Sequence, residues 1–122
     1  MEELKSVLAE WPAADIQKDI AIRIATHAQA RRREFSVDPA TILIIINCII
    51  NVIRLLYVCK TDAGVEGSIR KPGRVEKYLL KRQVKKEFPK HEVEPVYLAM
   101  IDVCKTLSQK EINELLDSTK EK

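Results

Sequence analysis

Apolar residues recur along this chain at the three- and four-residue spacing of helices. Leu4, Val7, Leu8 and Trp11 fall at i, i+3, i+4 and i+7, which predicts a short one-sided helix stopped by Pro12. A second helix is predicted from about Ala13 to Phe35. Ile16, Ile20, Ile24 and Ala28 repeat every four residues there, and Ala21 and Ala25 widen the stripe. Arg31, Arg32 and Arg33 fall in its last turn, where positive charge complements the helix dipole.

Ser36-Val37-Asp38-Pro39 is a start signal: Asp38 caps a new helix and Pro39 fills its first position, where no N–H is missed. Residues 40–59 follow, and twelve of them are Ile, Leu or Val. That much isoleucine favours strand on propensity alone. The polar residues decide otherwise. Asn47, Asn51 and Arg54, spaced by four and three, line one side of a helix and would scatter on a strand. The segment is read as a five-turn helix, apolar nearly all round, with a narrow Asn47/Asn51/Arg54 seam. Such a seam suits a polar partner or a fixed helix–helix register.

All three glycines lie between Gly64 and Gly73, a loop over 61–73 that divides a front half, 1–60, from a back half, 74–122. Gly64-Val-Glu-Gly67 places an acid where a loop clamping a nucleic-acid backbone prefers a base. Pro72 opens a helix that runs to Phe88, and Pro89 and Pro95 bracket a break. The next helix carries Val96, Tyr97, Met100, Ile101, Val103, Cys104 and Leu107. Ser108-Gln-Lys-Glu111 is a capping box that starts a final short helix with Ile112, Leu115 and Leu116. The fold class is therefore all-α: one domain over 1–122, a small bundle of five to six helices around residues 40–59.

Composition agrees with this reading. The 122 residues contain 3 Gly and 5 Pro, too few for a many-turned sandwich or barrel, and 46% hydrophobic residues argue against bulk disorder. Charge is unevenly placed. Residues 1–53 hold six basic and seven acidic side chains, whereas 70–90 hold nine basic ones against Glu76 and Glu87 alone. Arg70, Lys71, Arg74, Lys77, Lys81, Arg82, Lys85 and Lys86 form a block suited to a polyanion or an acidic partner. Within the helix that carries most of them, Leu80, Val84 and Phe88 make one apolar stripe and Val75 and Leu79 a second.

Candidate chemistry is sparse. Cys48, Cys59 and Cys104 are embedded in apolar sequence without metal-ligand spacing, which fits free thiols in a reducing compartment. His27 and His91 have no carboxylate or cysteine at a spacing that implies a dyad, and Glu92 and Glu94 beside His91 read as a solvated loop. No catalytic residue, metal site or cofactor is assigned. The Met-Glu-Glu start shows no signal-peptide pattern.

The leading expectation is a non-catalytic structural or assembly module of a larger complex, such as a virus particle, in the cytoplasm or within that particle. Its partners would be other protein subunits or a nucleic-acid backbone. A sequence-nonspecific nucleic-acid accessory protein is one alternative. Another is a single-span membrane protein using residues 40–59. The aliphatic side chains there favour insertion by roughly 4–7 kcal/mol, opposed by up to ~3 for Arg54 and by two asparagines.

Overall fold

A computed structural model describes residues 2–12, 14–30, 38–59 and 73–118. Six helices and no strand are found among them: α1 (Glu2–Glu10), α2 (Asp15–Ala30), α3 (Pro39–Cys59), α4 (Arg74–Glu87), α5 (Lys90–Thr106) and α6 (Gln109–Asp117). The expected last turn of the second helix with Arg31–Arg33, the glycine loop to Pro72, and Arg70 and Lys71 lie outside the described residues, as does the Cys59 side chain.

Helix α3 is the hub. It touches all five other helices, and α2, α3, α4 and α5 close a ring in which each meets the next and α5 returns to α2. Isoleucine is a mediocre helix former because its branched Cβ loses rotamer freedom against the preceding turn. Packing overrides that preference here. Ile45, Ile46, Ile49 and Ile53 are fully buried, each contributing about 1.5–3 kcal/mol of apolar burial. Asn47, Asn51 and Arg54 share the solvent-facing side of α3 with exposed Leu55. Among the described residues no helix is long and apolar enough to cross a membrane. The isoleucine surface offered in sequence to lipid is covered by neighbouring helices.

The starts of α3 and α6 form as their sequences dictate. Asp38 Oδ1 accepts the Thr41 N–H at 2.7 Å. At Ser108 the box is reciprocal: Ser108 Oγ accepts from Glu111 N at 3.1 Å, and Ser108 N–H donates to Glu111 Oε1 at 2.9 Å. Helix α4 begins two residues later than Pro72 suggests, with Gly73 as its cap. The Gly73 N–H donates to Glu76 Oε1 at 2.7 Å, and a Cβ at Gly73 would stand 3.0 Å from that oxygen.

Two expectations are corrected. Pro95 does not break the chain: α5 starts at Lys90 and runs through it. Only the bond from residue 95 to the His91 carbonyl is lost, one turn into the helix, while Val93 and Val96 on either side are buried in the core. In α1 the expected stripe narrows. Leu8 is buried and Trp11 packs against the core, but Val7 is 42% exposed.

Candidate partner-binding face

The basic block becomes a surface because α4 turns its apolar stripe inward. Leu80 and Val84 are fully buried, Phe88 packs at the core edge, and Glu76, on the same side, is buried at the helix start. At 100° per residue the opposite arc carries Arg74, Val75, Tyr78, Arg82, Lys85 and Lys86, all exposed. Lys77 is exposed too, but it falls off this arc, in line with Val84 and Phe88. No acidic side chain falls on this arc, since Glu76 points into the bundle and Glu87 lies on another side.

Lys81 departs from the sequence grouping. Its ammonium lies 3.2 Å from Glu94 Oε2 and 5.3 Å from the centre of the Tyr97 ring, so it ties α4 to α5. The second apolar stripe also divides. Leu79 packs against the core, whereas Val75 is 60% exposed beside Tyr78 at 63%. Where α4 turns into α5, a cavity of about 390 Å³ opens between Lys85, Phe88, Lys90, Val93 and Glu94.

A second cluster joins α2 to α5 and α6 and was not visible as a motif. Arg23 grips Glu111 with both guanidinium nitrogens, Nη1 reaching Oε1 at 3.4 Å and Nη2 holding Oε2. Nη2 also lies 2.8 Å from Asp19 Oδ2, and Nη1 donates to Thr106 Oγ1 at 3.3 Å. The Arg23 contact, then the Ser108 backbone N–H, hold the Glu111 carboxyl below the usual glutamate range.

His27, which has no carboxylate at a dyad spacing in sequence, has Asp102 Oδ2 at 3.2 Å from Nε2 on the wall of a groove of about 530 Å³. Seventy-five residues separate the two in sequence. The Thr106 hydroxyl on the groove wall donates to Val103 O at 2.7 Å, which directs its proton away from a base. Among the described residues no group of three or more His, Cys, Asp or Glu side chains could hold a metal ion. His91 stands 3.6 Å from Glu92, while Glu94 turns to Lys81.

Cys48 and Cys104 are free and buried. Burial pushes the Cys104 thiol up to about 12. Burial first, and the Glu87 charge second, push Cys48 up to about 11. Neither is a nucleophile at neutral pH. No family model matches the chain, and no curated protein or solved structure is found similar to it.

Proposed function

We propose that the chain is a non-catalytic assembly module that docks the outward face of α4 on an anionic partner within a larger complex. The observation that carries this reading is the arc holding Arg74, Arg82, Lys85 and Lys86 without an acidic side chain. Four like charges on one exposed arc repel one another unless an anion answers them. The rest of the molecule supports a scaffold role. The Thr106 hydroxyl beside the His27–Asp102 pair is turned to Val103 O, and the two described thiols are held protonated. Buried free cysteines also favour a reducing compartment.

The test is a charge reversal confined to exposed positions. Arg82→Glu, Lys85→Glu and Lys86→Glu together should leave the helical circular dichroism unchanged. Binding to a labelled DNA duplex and to an acidic peptide is then followed by anisotropy between about 50 and about 200 mM salt. The wild type should bind at least one probe, weakening as salt rises. The triple variant should lose most of that affinity, and on the duplex its salt slope should fall by about 0.9 per contact removed. Wild-type protein that binds neither probe at low salt overturns the reading. Lys81 is left out because its charge is already spent on Glu94 and Tyr97.

A further inference from the structure

The α4 face carries apolar groups as well as charge, and their placement narrows the kind of anion it fits. Val75 and Tyr78 are one helical turn apart near the start of α4, the most exposed large apolar side chains described. At the other end, the cavity of about 390 Å³ is lined by half-buried Phe88 and buried Val93, with Lys85 and Lys90 exposed beside them. Its one acid, Glu94, is already answered by Lys81 at 3.2 Å, so the cavity is cationic on balance. Between the two apolar points stand Arg82, Lys85 and Lys86. From Val75 to Phe88 the helix rises about 20 Å, the reach of about six residues of extended chain.

We infer that this face binds an acidic peptide segment of a partner protein. One apolar side chain of the segment seats in the α4–α5 cavity, a second rests on Val75 and Tyr78, and carboxylates between them meet Arg82, Lys85 and Lys86. The inference rests on the anionic-partner reading above and names the partner's class. A nucleic-acid backbone fits less well. It offers anions without an apolar side chain for the cavity, and base stacking uses successive aromatics, whereas Tyr78 is the lone aromatic on this arc.

Anisotropy with the full chain separates the outcomes. The probes are an acidic peptide of about twelve residues with two leucines about six apart, the same peptide with both leucines changed to serine, and a DNA duplex. The leucine peptide should bind at least about tenfold more tightly than the serine peptide at equal salt, a difference of about 1.4 kcal/mol. Tyr78→Ser and Lys90→Glu should each weaken the leucine peptide severalfold. Both residues are exposed, and Glu at the first turn of α5 favours that helix, so folding is preserved. Methyl resonances of Val93 should shift with the leucine peptide and stay in place with the serine peptide. Equal binding of the two peptides overturns the inference while leaving the cationic face and its anionic partner standing. A duplex that outcompetes the leucine peptide overturns it in favour of nucleic acid. Failure of all three probes at low salt removes both.

Discussion

At the scale of single residues, Glu111 does two jobs that can be separated. Its carboxylate closes the Ser108 box and anchors Arg23 of α2. Glu111→Gln keeps a capping side chain and loses the charge, whereas Ser108→Ala keeps the charge and loses half of the box. Ser108→Ala should cost about 1 kcal/mol in urea unfolding at any pH. Glu111→Gln should instead change the pH dependence. A carboxyl held low in the folded chain stabilises above the unfolded value of about 4.3, and that contribution is lost as pH falls through the folded value. The gap between wild type and variant should therefore be widest at neutral pH and close in acid. The thiols offer a second check. In a Cys59→Ser background, a disulfide reagent should find no reactive cysteine until denaturant is added, because Cys48 and Cys104 are buried and protonated.

At the scale of elements, all six helices were legible in sequence, and what local signals misplaced was the start of α5. Asp38, Ser108 and the Asn47/Asn51/Arg54 spacing are short-range marks, and α3 and α6 form where they point. Pro95 misleads because its cost is local while the gain that outweighs it, burial of Val93 and Val96, depends on neighbouring helices. Pro95→Ala should restore the bond to the His91 carbonyl and raise stability by about 1–2 kcal/mol, after the lost stiffening of the unfolded chain is subtracted. A melt that does not rise would place α5's start under tighter packing control than its hydrogen bonds suggest. The proposed binding face was half legible. Charge spacing marks the arc of α4, but nothing in sequence tells Lys81, held by Glu94 and Tyr97, from Lys85, or shows the cavity that forms only where α5 meets α4.

At the scale of the whole molecule, two unlike faces among the described residues meet solvent: the cationic arc of α4 and the asparagine seam of α3. The seam separates half-buried Leu43 and Ile44 from exposed Leu55. Asn47→Leu with Asn51→Leu would join them into one apolar strip. Sedimentation should then show more concentration-dependent association than the wild type, with helicity unchanged; a variant that sediments like the wild type would deny the seam any part in keeping copies apart. The bundle is also closed by contacts between distant parts of the chain. Gln17 donates to Ser118 at 3.0 Å, His27 meets Asp102, and Arg23 holds Glu111. This closure sets a condition on biosynthesis. When the ribosome has finished α3, about fifty residues must still be added before Glu111 exists, about 3–10 s at ordinary elongation rates. During that interval the isoleucines of α3 gain the α4 and α5 surfaces that cover them only as those helices are made, and the α6 surface last, so the nascent front half is at its most aggregation-prone.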